Sequence, residues 1–228
     1  MDELERQKLD AMKELAYGAS HEINNPLANI AARAQSLLRE ESHPDRRRSL
    51  EAIHQQAMRA HEMISDLMLF ARPPQLVCEP FDLVELISGV ISNLAAETNT
   101  RQIQLKLESS EESIRIKADR QQLSVAIGAV LDNALEAIGR DGNILVALSC
   151  SDESVAIEVT DDGPGISAEV RKHMFDPFYS GREAGRGLGF GLSKCWRIVS
   201  EHGGSVVVES AGESGATITM RLPIESAS

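Results

Sequence analysis

The chain has 228 residues, 42% hydrophobic and 25% charged, with a net charge of -12, which suits one domain of ordinary size plus a smaller element. Up to Arg72 there are 10 basic and 12 acidic residues, and from Pro73 onward 13 and 23. So acidic a second part excludes gripping a phosphate backbone by bulk charge: no nucleic-acid partner is expected, and any anionic ligand has to be held by local groups.

No apolar run reaches the roughly eighteen residues of a membrane span, and the opening Met-Asp-Glu-Leu-Glu-Arg has neither the basic start nor the apolar core of a signal. No membrane contact is expected within this segment. Cys78, Cys150 and Cys195 are far apart and odd in number, which argues against a zinc site and for a reducing, cytoplasmic setting.

From Glu3 to Arg39, Leu9, Met12, Ala16, Ala19, Ile23, Ile30, Ala34 and Leu37 recur at spacings of three, four or seven, which predicts a helix with one narrow apolar stripe. Inside it stands Gly18-Ala19-Ser20-His21-Glu22-Ile23-Asn24-Asn25-Pro26-Leu27. His21 and Asn25 share a helix face, Glu22 adjoins the imidazole, and Pro26 is placed to bend the backbone beyond it. His21 lies off the stripe and is expected to face outward, a nucleophilic nitrogen on a rod.

A polar turn over 40–45, with Pro44 in it, separates this helix from a second one carrying Leu50, Ile53, Ala57, Ala60, Ile64, Leu67 and Ala71 at three-four spacing. One such hairpin encloses little core. Pairing two of them into a four-helix bundle covers both stripes, so a homodimer is expected, the alternative being a hairpin packed against the second unit of its own chain.

Arg72-Pro73-Pro74 must end the second helix, and the proline-punctuated stretch to Pro80 reads as a linker. Residues 1–72 therefore form one unit, 73–80 a linker and 81–228 a second unit. There, a helix is predicted from Phe81-Asp82 to about Thr98, strands over 102–107 and 114–117, and a helix capped by Asp119 running to about Ile138. Further strands follow near 144–148 and 155–160, then a glycine-rich stretch over 163–191, a helix to about His202, and strands near 205–209 and 216–222. Helices interleaved with strands, with hairpins near 151 and 212, indicate a two-layer α/β sandwich with a mixed sheet.

Four local signals in this second unit point to a nucleotide. Asn133, in Leu131-Asp132-Asn133-Ala134, is disfavoured inside a helix, needs a partner, and offers an oxygen suited to Mg²⁺. In Thr160-Asp161-Asp162-Gly163-Pro164-Gly165-Ile166 a strand ends in a tight turn. Gly163 and Gly165 let the backbone approach a flat ring, while the Asp161 carboxylate can accept a hydrogen bond from an exocyclic amine. Met174-Phe175-Asp176-Pro177-Phe178-Tyr179 concentrates aromatics in a polar segment. Finally, Gly185, Gly187, Gly189 and Gly191 alternate ahead of a helix, a loop whose amides can face phosphates. Taken singly, Asn133 also suits a buried hydrogen-bonding residue, Asp161 to Gly165 an ordinary acidic turn, and the aromatic segment a small loop core.

Together, and closed by His202-Gly203-Gly204, these segments resemble in order and spacing the ATP-binding domain of sensor histidine kinases, and the His21 box resembles their phosphoacceptor motif. The likeness covers nearly the whole chain, with Leu69-Phe70-Ala71-Arg72-Pro73 similar to the nitrogen-regulatory type. The resemblance implies a dimerisation and phosphotransfer hairpin followed by an ATPase domain of the histidine kinase, gyrase and MutL type. It implies ATP and Mg²⁺ as cofactors, autophosphorylation of His21, and transfer to an aspartate on a response-regulator receiver domain, the chain being the cytoplasmic core of a longer sensor.

By the same resemblance His21, Glu22 and Asn25 are the catalytic group, with Asn25 implicated in dephosphorylating the regulator. Asn133 holds the metal and, with Asp161, Gly163, Gly165, Ile166, Phe178, Arg182, Arg186, Gly187, Leu188, Gly189, Gly191 and Leu192, contacts nucleotide. Two positions depart from the family: its usual second asparagine is Ala129 here, and a commonly basic position is Glu136. A hydrolytic ATPase of the related gyrase and MutL type is a rival function, but those enzymes place a water-activating glutamate where Ala129 stands, which argues against it; a phosphotransfer scaffold with a weakened ATP domain is another rival, which Ala129 keeps open.

Overall fold

The computed structural model describes residues 3–71, 74–176, 179, 189–210 and 214–224, and the backbone alone over 3–21, 67 and 69–71. The chain divides into two compact units, Met1–Pro74 and Gln75–Ser228.

The first unit is a pair of helices, α1 (Glu3–Glu40) and α2 (Pro44–Ala71). Pro26 sits inside α1 without ending it, at the cost of the N–H that would have bonded the Glu22 carbonyl. The turn is shorter than 40–45, because α2 begins on Pro44 itself: a fixed φ and a missing N–H suit the first helical position.

The apolar stripe is used differently from expectation. Ala31, Ala34 and Ala57 are buried, whereas Ile23, Ile30, Leu37 and Ile53 are exposed, Ile30 at 45% and Leu37 at 60%. Small residues take the close seam between α1 and α2, and the large ones form a second face on the same hairpin. The side chains of Leu9, Met12, Ala16, Ala19, Leu67 and Ala71 lie outside the described residues.

In the second unit, β1 (Glu79–Asp82), α3 (Leu83–Asn93), α4 (Ala95–Arg101), β2 (Ile103–Ser109), β3 (Arg115–Ala118) and α5 (Arg120–Ile138) come first. They are followed by β4 (Gly142–Cys150), β5 (Ser154–Asp161), α6 (Ala168–His173), α7 (Gly191–Glu201), β6 (Ser205–Glu209) and β7 (Ala216–Pro223). Five strands form one sheet in the order β2-β4-β5-β7-β6, while β1 and β3 pair separately. The larger sheet is mixed as expected, β2 running parallel to β4 and the other pairs antiparallel.

Ile144, Val146 and Leu148 on β4, Val155, Ile157 and Val159 on β5, and Ile218, Met220 and Leu222 on β7 are all buried. They alternate along their strands and so line one face of the sheet. Leu123, Ile127, Val130, Leu131 and Leu135 of α5 are buried too, and α5, α7 and α3 contact the sheet, which makes two layers.

Three expectations are corrected. The linker ends before Glu79, because Glu79 and Pro80 already pair with Ala118 and Lys117 in the β1–β3 ladder. The helix predicted from 81 to 98 is two helices meeting at Leu94, and Asp82 caps the first, its carboxylate accepting from Val84 N at 2.9 Å and Glu85 N at 3.5 Å. The glycine-rich stretch contains α6, capped by Ser167, whose hydroxyl accepts from Val170 N at 3.2 Å. Asp119 does cap α5, accepting from Gln122 N at 3.0 Å. No helix among the described residues is long and apolar enough to cross a membrane.

Candidate functional site

Three segments distant in sequence meet along α5. Asn133, in the C-terminal half of α5, is half-buried. One turn earlier, a methyl group built on Gly191, the first residue of α7, would stand 3.9 Å from the Ala129 carbonyl. One turn later, a methyl group on Gly163 would stand 3.3 Å from Ala137 Cβ. The turn after β5 and the start of α7 thus flank Asn133 from either end, which no spacing in the sequence displays.

Asp161 ends β5 and is 6% exposed. Its Oδ1 accepts from Gly163 N at 2.9 Å. Burial pushes its carboxyl above the ordinary range, against the N–H groups of Gly163 and Ala216, and the negative charge of Asp162 adds to the rise. Asp162 behaves oppositely: the Asn143 N–H, with the Asn143 side chain, lowers its carboxyl. Its two oxygens accept from Asn143 N at 2.9 Å and Nδ2 at 2.7 Å. Adjacent carboxylates therefore differ in task, Asp162 tying the turn to β4 and Asp161 remaining as a buried acceptor.

Two residues that sequence reasoning missed hold the turn. Ser210, after β6, accepts from Ile166 N at 2.9 Å and donates to Gly215 O at 2.9 Å. Gly215 N donates to Gly163 O at 2.7 Å. Gly215 has φ +70, and a Cβ there would collide with the Asp161 carbonyl, so only glycine suits the position. A Ser-x₄-Gly pair across a predicted hairpin is the one faint signal that precedes the strand pairing.

Gly165 has φ +77 and Gly189 φ +68. Phe190 is buried, and its carbonyl accepts from Ser193 Oγ at 3.0 Å and Lys194 N at 2.9 Å, closing the first turn of α7, on which Leu192 is half-buried. Phe178, Arg182, Arg186, Gly187 and Leu188 lie outside the described residues. In the hairpin, His21 is on α1 with Glu22 and Asn25 exposed beside it; the outward placement expected for the His21 ring also lies outside the described side chains.

Among the described residues no three His, Cys, Asp or Glu side chains form a metal-holding group. An amide oxygen such as that of Asn133 suits Mg²⁺, which commonly takes few protein ligands and completes its shell with phosphate oxygens and water.

Residues 118–226 match the family described as histidine kinase-, DNA gyrase B- and HSP90-like ATPase, and residues 11–75 the His Kinase A (phospho-acceptor) domain. The sensor histidine kinase ZraS of Escherichia coli (strain K12) is 33% identical over 225 residues, 98% of this chain and 48% of its own. Sporulation kinase D of Bacillus subtilis (strain 168) is 30% identical over 223 residues, 97% of this chain and 44% of its own.

Among solved structures, full-length ShkA in complex with AMPPNP has a TM-score of 0.83 over 94% of this chain and 46% of that one, at 24% identity, a likeness of fold. Histidine kinase ThkA in complex with response regulator protein TrrA has a TM-score of 0.71 at 25% identity, over 96% of this chain and 64% of that one. The chain belongs to the sensor histidine kinases of two-component systems, whose phosphoacceptor and ATPase domains it carries in that order. It spans about half the length of the curated relatives it matches.

Proposed function

We propose that this chain is the catalytic core of an ATP-dependent protein histidine kinase that phosphorylates His21 and passes the phosphoryl group to an aspartate of a response-regulator receiver domain. The observation that carries this reading is the convergence on α5, where Asn133 lies between the turn of Asp161 and the first turn of α7. Residues 1–72 serve as the phosphotransfer hairpin and the unit that opens with β1 at Glu79 as the nucleotide domain. The AMPPNP held by ShkA and the regulator held by ThkA support both halves of it.

Asp161 accepts the adenine amine in a buried site, where a charge-assisted bond is strong. Gly163 and Gly165 leave the ring room, and the alternating glycines with the start of α7 offer amides to the phosphates. Asn133 supplies an oxygen to Mg²⁺, which when bound neutralises phosphate charge. A neutral His21 nitrogen attacks the γ-phosphorus of ATP, the N–P bond forming as the bond to the bridging oxygen breaks and ADP leaves, and Glu22, next in the chain, orients the ring or takes its proton. Transfer then needs positioning more than an additional nucleophile.

Incubation with γ-labelled ATP and Mg²⁺ tests the proposal. Acid-labile label retained on the protein is the expected result. Released phosphate without label would mean a hydrolytic ATPase, which the buried methyl of Ala129 disfavours because it cannot activate water; neither product would mean a scaffold.

The working unit in this proposal is a homodimer in a reducing, cytoplasmic compartment, in keeping with three free cysteines. Ile23, Ile30, Leu37 and Ile53 leave an apolar face that the alanine seam does not use, and a second hairpin covers it. Ile30→Glu is expected to give a folded monomer by light scattering at micromolar concentration; an undiminished dimer would reject the bundle.

Asn25 serves the reverse direction, removing phosphate from the bound regulator. Its amide orients a water and does not titrate near neutral pH. Asn25→Ala is expected to label His21 normally while slowing phosphate loss from a cognate phospho-receiver domain. Parallel loss of both rates would leave Asn25 only a support for the turn before Pro26.

A further inference from the structure

The hairpin is laced by a polar ladder with a seven-residue repeat on both strands of the pair. Arg47 Nη1 donates to Leu38 O at 3.2 Å, His54 Nδ1 to Ala31 O at 3.2 Å, and His61 Nδ1 lies 3.1 Å from Asn24 Oδ1. The donors at 47, 54 and 61 on α2 and the acceptors at 38, 31 and 24 on α1 each advance by two helical turns, in opposite directions.

The three rungs differ in what they read. The first two end on main-chain carbonyls, which a helix presents at every residue, so they hold the helices together without choosing a register. The third needs one side chain, and only Asn24 supplies it. Both of its partners are half-buried, so losing the bond leaves polar atoms with restricted access to water. Asn24 is also three residues from His21, less than one turn away and about 60° around the helix axis.

From this we infer that His61 is a positioning residue for phosphoryl transfer, acting through Asn24 to fix the rotation of the α1 turn that carries His21. The inference rests on His21 being the phosphoacceptor and assigns His61 no contact with ATP. An attacking nitrogen has to be held in line with the phosphorus, so a freed turn slows the chemical step while leaving nucleotide binding alone.

The test compares His61→Leu, which keeps apolar bulk and removes the bond, with His61→Asn, whose amide nitrogen falls where Nδ1 stands, and with Asn24→Ala. His61→Leu and Asn24→Ala are expected to slow labelling of His21 by about two- to tenfold, the range for losing one hydrogen bond, with unchanged Kd for ATP. The double variant should be no slower than either single one, because they remove one interaction. His61→Asn should return to within about twofold of the unmodified rate.

A second readout is the ¹H–¹⁵N signal of the His21 imidazole, recorded without ATP, which should shift in His61→Leu and Asn24→Ala and return in His61→Asn. It reads the pair even in a chain that does not label, a failure that would count against the kinase function alone. Should His61→Leu not fold, Asn24→Ala carries both measurements. An unmoved His21 signal, unchanged labelling, or a His61→Asn variant as slow as His61→Leu would overturn the inference.

Discussion

Replacing His21 by Gln is expected to cut labelling from γ-labelled ATP by more than about a hundredfold, since the attacking nitrogen is removed outright and glutamine keeps the helix. The other histidines make the experiment specific. His54, His61, His173 and His202 each have a ring nitrogen within hydrogen-bond distance of a protein oxygen, and His43 is in the turn before α2. None is followed by the Glu and Asn that accompany His21. ATP binding should be unchanged in the variant, because Asn133 and Asp161 belong to the other unit. Acid-labile label surviving at the unmodified level would place the phosphoacceptor elsewhere.

Asp161→Asn is the second large effect, and it should act in opposite directions on binding and on the fold. Removing one charged hydrogen bond to a buried ring costs about 1.5–3 kcal/mol, roughly a tenfold to hundredfold loss of ATP affinity. Burial raises the Asp161 carboxyl in the fold. The folded chain therefore holds that proton more tightly than the unfolded chain, a contribution present at low pH and lost as pH rises through the folded value. At neutral pH the ionised, buried carboxylate is a cost to the fold, and the Asn variant should melt no lower than the unmodified chain. Nucleotide affinity should fall on acidification at a higher pH than an ordinary aspartate would give, and this limb should vanish in Asp161→Asn. ATP titrations across pH on both proteins check this; equal affinity at neutral pH would remove Asp161 from the site.

The hairpin, the α/β sandwich and the family motifs were determined by the sequence because their signals are local: a three-four repeat, an alternating strand, glycines in a row before a helix. The box around His21 and the turn after Thr160 occupy a few consecutive residues, so they can be read without knowing what they touch. Failures came where local preference is silent or misleading. Leu94 has ordinary αR backbone, so nothing beside it marks the break between α3 and α4. Pro80 argues against a strand, and β1 exists only through its ladder with β3.

Tertiary structure alone decided which apolar residues of α1 are buried, since one periodic stripe supplies both the alanine seam and the exposed face of Ile23, Ile30 and Leu37. It likewise decided how the Asp161 turn is held. Asn143, Ser210 and Gly215 come from β4 and the β6–β7 connection, and only pairing of β5 with β4 and β7 brings them within hydrogen-bond reach of the turn. Periodicity reports which face of an element is apolar, whereas hydrogen bonds between strands depend on register across the sheet, a property of the folded chain and not of any one segment.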